Sequence, residues 1–383
     1  PPVLFADVVA TSSAVGATSS RTAKAQALAD LLAEAEPDEI EPLVGFLVGE
    51  PRQGRVGVGR KTLQTAAGDH RADDASLSVA EVDRVITDLA GLSGPGSTIA
   101  RKALLADVFG RATPPEATFL FRLFGGDLRQ GALAGVMADA VDKASGVPAT
   151  VVRRAVMLGG RLDEAARIAL TAGRAGLEAV RLEVGRPLQP MLASTSTSVT
   201  EAVAAISSGP TAPGSSVEWK LDGIRIQVHR SGDDVVVYTR NLNDITARLS
   251  GVVELVRALP VTSVVLDGEA LVVDETGRPV MFQDTASRVG ADELSADAGP
   301  SSVVPHFFDI LHVDGTDLID ASLADRIAEL DRVVGPLRIP GAVTSDPAEG
   351  EAVLADALAA GHEGVVVKAV DSRYEAGRRG KAW

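Results

Sequence analysis

The chain has 383 residues, no cysteine and a formal net charge of −15. That length suffices for two domains with cores of their own, and the missing thiols exclude a disulfide framework and a thiolate metal site, which fits an intracellular protein. No apolar run approaches the ~18 residues a membrane span needs, and no signal peptide opens the chain. It begins Pro1-Pro2 without a methionine and stops at Lys381-Ala382-Trp383, so a fragment of something longer is expected. The charge is uneven. Residues 1–187 hold 21 basic and 23 acidic side chains, whereas 188–383 hold 16 and 29. A local basic face in the first part is an open reading, carried by Arg153, Arg154, Arg161, Arg167, Arg174, Arg181 and Arg186. Solvation of ordinary helices by these arginines is at least as good a reading.

Residues 1–187 have helical periodicity. Ala25, Leu28, Leu31, Leu32 and Ala35 recur on one face. Thr113-Pro114-Pro115-Glu116 is a capping box with proline at the first helical positions, and the stripe Phe119, Leu120, Leu123, Phe124 stops at Gly125-Gly126. Val136, Ala140 and Val141 predict another helix, and Asp163–Leu170 and Ala175–Leu182 predict two short ones. The segment 57–62 has glycines and a lysine like a phosphate-binding loop, but Arg60 stands where that motif needs glycine. A helix N-terminus after a glycine hinge fits better, and it could meet a phosphate through backbone N–H groups.

After Arg186-Pro187-Leu188-Gln189-Pro190 the period becomes two. Ile224, Ile226 and Val228 alternate with Arg225, Gln227 and His229, as in a strand with one buried face. Asp233-Asp234 predicts a turn into Val235–Tyr238. Further strands are expected at 264–266, 271–273, 303–311 and 365–370. Two helices are expected among them, one capped by Ser322 with Asp325 and one from Pro347 to Gly361. Ser194–Ser198, 209–216 and 291–302 read as loops. The five histidines, His70, His229, His306, His312 and His362, have no zinc-ligand spacing and read as structural.

The chemistry concentrates at Lys220, in Glu218-Trp219-Lys220-Leu221-Asp222-Gly223-Ile224-Arg225. A neighbouring cation and partial desolvation would depress a lysine pKa and make the amine a nucleophile. The K-x-D-G-x-R run resembles the signature of covalent nucleotidyltransferases: DNA ligases, RNA ligases and mRNA capping enzymes. Downstream, in the family's order, stand Arg240-Asn241-Leu242, Asp267-Gly268-Glu269, Phe307-Phe308-Asp309 and Glu363-Gly364-Val365-Val366-Val367-Lys368. Each is expected at a strand end or strand–turn junction. The resemblance makes Lys220 the AMP acceptor. Arg225, Arg240 and Lys368 become cations for the phosphates, and Glu269 and Glu363 the ligands of Mg²⁺. Phe308 is the ring that stacks on adenine, and Glu218 and Arg379 are further ATP contacts.

In the first part, Gly126-Asp127-Leu128-Arg129-Gln130-Gly131 and the junction at 186–193 resemble segments of bacterial ATP-dependent DNA ligases with an N-terminal helical DNA-binding domain. The resemblance implies a multi-domain chain: an all-α DNA-binding domain at 1–187, then an α+β adenylation (nucleotidyltransferase) domain with antiparallel sheets at 188–383. It implies a monomer in the bacterial cytoplasm, at the nucleoid, acting on nicked double-stranded DNA with ATP and Mg²⁺ and without a membrane. The family's K-x-K pair and oligonucleotide-binding barrel would lie beyond Trp383, so weak self-adenylation and poor sealing are expected of this chain. An RNA ligase or capping-type enzyme, or a non-catalytic nick-binding protein, is the alternative. The helical first part disfavours the former, and the presence of Lys220, Glu269 and Glu363 the latter.

Overall fold

The computed structural model describes residues 2–54, 58–68, 70–126, 128, 133–206, 214–273, 302–380 and 382–383. Gly57, the run 129–131 with Arg129, Asp127, and the expected loops at 209–213 and 291–301 lie outside the described residues. Two compact units divide the chain, Pro1–Arg181 and Leu182–Trp383.

The first unit is helical: α1 Phe5–Ala17, α2 Arg21–Glu34, α3 Ile40–Val48, α4 Arg60–Ala67, α5 Val79–Gly91, α6 Ser97–Arg111, α7 Pro114–Gly125, α8 Leu133–Ser145, α9 Ala149–Gly159 and α10 Leu162–Glu178. The apolar stripes meet in one core, where Phe5 packs edge-on against Phe46 and Phe119 at centroid distances of 5.8 and 5.5 Å. The α7 cap forms as expected. Glu116 accepts from Thr113 N–H at 2.8 Å, and Gly126 closes the helix in the left-handed conformation (φ 69). The two short helices expected from Asp163 onward are both present within the α10 span, separated at Gly173, whose non-helical backbone (φ 62) breaks the path between them. Gly59 is the N-cap of α4.

Among the described residues, most of the arginine run is paired with carboxylates rather than gathered into a basic face. Arg153 pairs with Asp139, Arg161 with Asp163 and Glu41, Arg167 with Glu41, and Arg174 with Glu178. Arg181 donates to the Glu178 carbonyl.

The second unit holds α11 Val199–Ile206, β1 Ser215–Lys220, β2 Ile224–Ser231, β3 Asp234–Thr239, α12 Ser250–Arg257, β4 Ser263–Val273, β5 Ser302–Val313, β6 Thr316–Asp317, α13 Leu323–Val334, β7 Gly341–Thr344, α14 Pro347–Ala359 and β8 Gly364–Ala369. The strands form two antiparallel sheets, β7-β1-β8 and β3-β2-β4-β5-β6. Ser215 and Ser216, expected in a loop, open β1, because they pair with Ala369 and Lys368 of β8. The two strands expected at 264–266 and 271–273 are the ends of β4. Pro305 fits inside β5 because β6 reaches only His312 and Val313, leaving the missing N–H on an edge.

One face of the larger sheet buries Ile226, Val228, Val237, Leu266 and Phe307 under α12 and α13. The opposite face was expected to be solvated, yet Gln227 and His229 are buried. Segment 185–194 covers it. Gly185 N–H donates to His229 Nδ1 at 3.0 Å, Gln227 makes hydrogen bonds with both Leu188 N–H and Leu188 C=O, and Arg225 donates to Met191 C=O at 2.7 Å.

Candidate active site

Alternation along β1 sends Ser216, Glu218 and Lys220 to one face, where their cross-strand partners are Lys368, Val366 and Gly364 of β8. Val217 and Val367 point the other way and pack on Val199 and Val203 of α11. On the β7 side Gly341 stands opposite Glu218, and a Cβ there would lie 2.4 Å from the Val217 carbonyl. Glycine therefore lets the edge strand close up. Lys220 ends β1, and its ammonium is paired with the Glu363 carboxylate. Glu363 N–H also donates to Lys220 C=O at 3.2 Å. The desolvated lysine beside a cation is not what forms. The Lys220 side chain is 52% exposed and its neighbour is an anion. Arg225 is turned elsewhere.

Behind Lys220 lies a buried ionic group. The Glu218 carboxylate, 1% exposed, pairs with Lys368 Nζ at 2.6 Å and Arg338 Nη2 at 2.9 Å, and accepts from Ser216 Oγ at 2.9 Å. Burial works to raise the Glu218 pKa, but Lys368 and Arg338 overrule it and hold the carboxyl below its ordinary value. Burial pushes the Lys368 ammonium down against the opposing pull of Glu218 and Asp309. Lys368 Nζ sits 4.6 Å from the Phe308 ring centre and 4.2 Å from that of Trp383, and donates to Phe308 C=O at 3.3 Å.

On the larger sheet Arg225 and Glu269 are cross-strand partners. Arg225 makes two hydrogen bonds to the buried Asp267 carboxylate, at 3.0 and 2.7 Å, and Tyr374 Oη donates to the same carboxylate at 2.7 Å. Met191 N–H donates in turn to Tyr374 Oη. Burial pushes the Glu269 carboxyl up to about 7, with Asp267 adding to the effect and Arg225, the Gly223 N–H and Lys220 opposing it. Asp267-Gly268-Glu269 and Phe307-Phe308-Asp309 lie within strands rather than at strand ends. What re-aims them is a register shift: Asp267 pairs with Asp309 and Gly268 with Phe307, so Phe308 is the extra residue of a β-bulge. Phe307 goes to the core and Phe308 faces Arg225, 5.3 Å from its guanidinium carbon.

The structure brings Lys220, Glu218, Glu363, Lys368, Phe308, Arg225 and Glu269 onto these two adjoining sheet faces. Arg240 follows β3 and is exposed; with Arg225 and Asp267 it lines a small cleft. Arg379 donates to the Ala193 carbonyl, so in this conformation it holds the 192–194 segment. Three contributors were given no role by the motif reading: Asp267, Tyr374 and Arg338. Asp267 lies inside the D-G-E run, and Tyr374 is one of only two tyrosines in the chain. Arg338 has no sequence signal at all. Trp383 adds its ring to Lys368, and its buried indole N–H finds no acceptor among the described residues. The carboxylates offer hard oxygen donors, yet among the described residues no three carboxylate or imidazole groups converge closely enough to hold a metal ion unaided.

The family model "ATP dependent DNA ligase domain" matches residues 190–383, and "DNA ligase N terminus" matches 67–142. A probable DNA ligase of Rhodococcus jostii is 50% identical over 381 residues, covering 100% of this chain and 74% of the relative. One from Kineococcus radiotolerans is 52% identical over 385 residues with the same coverage. The solved structure Pmar-Lig_PreS3 superposes with a TM-score of 0.55 at 16% identity, over 98% of this chain and 77% of that one, a likeness of fold. No helix among the described residues is long and apolar enough to cross a membrane. With a family model over half its length and relatives at half identity end to end, the chain belongs to the ATP-dependent DNA ligases.

Proposed function

We propose that this chain seals nicks in duplex DNA with ATP as substrate and Lys220 as the nucleophile. The Lys220 ammonium first gives up a proton to solvent, and the neutral Nζ attacks the α-phosphorus; the N–P bond forms, the bond to the bridging oxygen breaks, and pyrophosphate leaves. AMP then passes from Lys220 to the 5′-phosphate of a nick, and the 3′-hydroxyl displaces it. Lys368 and Arg240 supply positive charge to the phosphates, and Phe308 offers a face to adenine beside the Glu218 carboxylate. Arg225 orders the site through Asp267. Arg379 reaches ATP once released from Ala193. The chain works as a monomer on nicked DNA inside a bacterial cell.

One observation carries this reading. The β1–β8 pairing places a half-exposed lysine, a carboxylate on its ammonium and a buried lysine–glutamate pair on a single sheet face. The residues also fit a magnesium ion. Burial and Asp267 push the Glu269 carboxyl up to about 7, an opposition to its charge that a divalent cation would relieve, and Glu363 is half-exposed. Such an ion takes one or two carboxylates and completes its shell with phosphate oxygens and water. Held there by Glu269 and Glu363, Mg²⁺ would neutralise the triphosphate. The rest of the acceleration comes from positioning and fixed charge.

Label from α-labelled ATP and Mg²⁺ surviving denaturing electrophoresis, and absent in Lys220→Ala, is the expected result. Label from GTP would favour the capping reading. No label from any nucleotide in the full-length protein would leave a nick-binding protein. Preference for nicked duplex over single-stranded RNA separates DNA from RNA sealing, and the helical first unit favours DNA.

A further inference from the structure

Arg338 sits where the two sheets are stitched together. Its own N–H donates to Gly335 C=O at 3.1 Å, Ile339 N–H to Phe307 C=O at 2.9 Å, and Trp219 N–H to Pro340 C=O at 2.9 Å. The backbone is thus fixed to β5 on one side and β1 on the other. From this position the guanidinium reaches Glu218 Oε1 at 2.9 Å and Ile339 C=O at 3.1 Å, with Asp331 3.3 Å from Nε. Its side chain is 15% exposed. Lys368 takes the other oxygen of the same carboxylate, Glu218 Oε2, at 2.6 Å. That oxygen has an ion-pair partner but no aligned hydrogen bond. The opposite neighbour, Asp309, is committed to the fully buried Arg326 at 2.7 and 3.1 Å.

One buried carboxylate is therefore shared by two cations. The arrangement matters when Lys368 has to serve a phosphate. A buried anion whose only cation departs is left uncompensated, and that penalty would hold the lysine back. With a second cation fixed in place, the lysine can leave and the carboxylate stays paired. We infer that Arg338 is a positioning residue for nucleotidyl transfer: it keeps Glu218 paired while Lys368 moves its charge from Glu218 to the α-phosphate. The inference rests on the reading that Lys368 meets that phosphate.

Two consequences follow. Negative charge at the phosphate is best matched by Lys368 in the transition state, so loss of Arg338 acts on the adenylation rate at saturating ATP more than on KM. Arg338 also acts only through Glu218, so the two residues are coupled in a double-mutant cycle.

The test is single-turnover adenylation of Lys220 in the full-length protein, for wild type, R338M, R338K, E218Q, R338M/E218Q and K368A, with unfolding curves for each. R338M should slow adenylation about tenfold or more with KM changed less than about threefold, R338K should restore most of the rate, and on the E218Q background R338M should cost less than about twofold. If R338M fails to fold, R338Q and its E218Q double variant carry the same comparison. A folded R338M or R338Q with a rate within about twofold of wild type, or an equal cost with and without Glu218, would overturn the inference. K368A adenylating like wild type would instead overturn the reading beneath it.

Discussion

Arg225 and Asp267 form a two-bonded ion pair with the carboxylate 1% exposed and the guanidinium 17% exposed. The arginine five residues after Lys220 thus organises the site rather than lying free beside the nucleophile. Burial works against the Arg225 charge and Asp267 more than restores it, so its pKa is raised. Asp267→Asn removes the charge but keeps the shape, leaving a largely buried cation unpaired. The expected cost is about 3–5 kcal/mol in urea unfolding, since breaking one partner of a buried pair is the expensive case. Tyr374→Phe leaves the pair intact and removes the hydrogen bond to Asp267 and the acceptor of Met191 N–H, for about 1–3 kcal/mol. Equal, small effects from the two would mean that the pair is not the organising contact.

His229 gives the second unit a calculable acid sensitivity. Gly185 N–H can only donate, so Nδ1 must carry a lone pair and the ring is neutral. Burial, with His312 nearby, lowers its pKa to about 4 from an ordinary 6.5. The unfolded chain binds this proton first as pH falls. Stability is therefore full above about pH 6.5 and is lost progressively toward pH 4, by about 3 kcal/mol in total. His229→Gln should flatten this part of the profile when unfolding is followed at pH 7, 5.5 and 4.5. Parallel profiles for variant and wild type would remove His229 as the cause.

How legible was this in the sequence? Lys220, Glu363 and Lys368 could be found because strand pairing brings short motifs together, and side chains two residues apart share a face. Helix α7 could be read to its last residue, because Thr113, Glu116 and Gly126 are local signals. The hydrophobic alternation of β2 was also legible, but not the burial of its polar face. Gln227 and His229 are satisfied largely by backbone groups of 185–194, which also take one hydrogen bond from Arg225, and backbone groups leave no trace in residue identity. The bulge at Phe308 was hidden for a similar reason: a register shift is a property of two strands. Arg338 acts across 120 positions on Glu218, a distance at which no spacing rule operates.

The α7 cap tests the first unit separately. Thr113 Oγ1 donates to Glu116 Oε2 at 2.7 Å, and the same carboxylate oxygen accepts Thr113 N–H. Replacing Thr113 by Ala should cost about 1 kcal/mol, the usual value of an N-cap. Glu116 is buried, so Glu116→Gln, which retains an acceptor, should be milder than Glu116→Ala. Thermal unfolding of the three variants checks the order. Glu116→Ala as stable as wild type would exclude the box as a stabilising element.

Gly268 carries the last and most specific prediction. A Cβ there would fall 2.5 Å from His306 C=O and 2.7 Å from Phe307 Cδ1, closer than any real Cβ approaches. The glycine is therefore what lets β4 and β5 close next to the bulge, and the bulge is what separates Phe307 from Phe308. Gly268→Ala must push the strands apart or shift the register. The strain should lower stability by about 1–3 kcal/mol, as overpacking does. A shifted register turns Phe308 away from Arg225 and Lys368, so ATP affinity should fall more than in a surface variant of equal stability loss. Ser250→Gly, at an exposed position in the first turn of α12, supplies the surface comparison, with equilibrium ATP binding and stability measured for both. If Gly268→Ala binds ATP like wild type while losing the predicted stability, the bulge does not set the direction of Phe308. If it loses neither, the strands are not as close as the Gly268–His306 distance states.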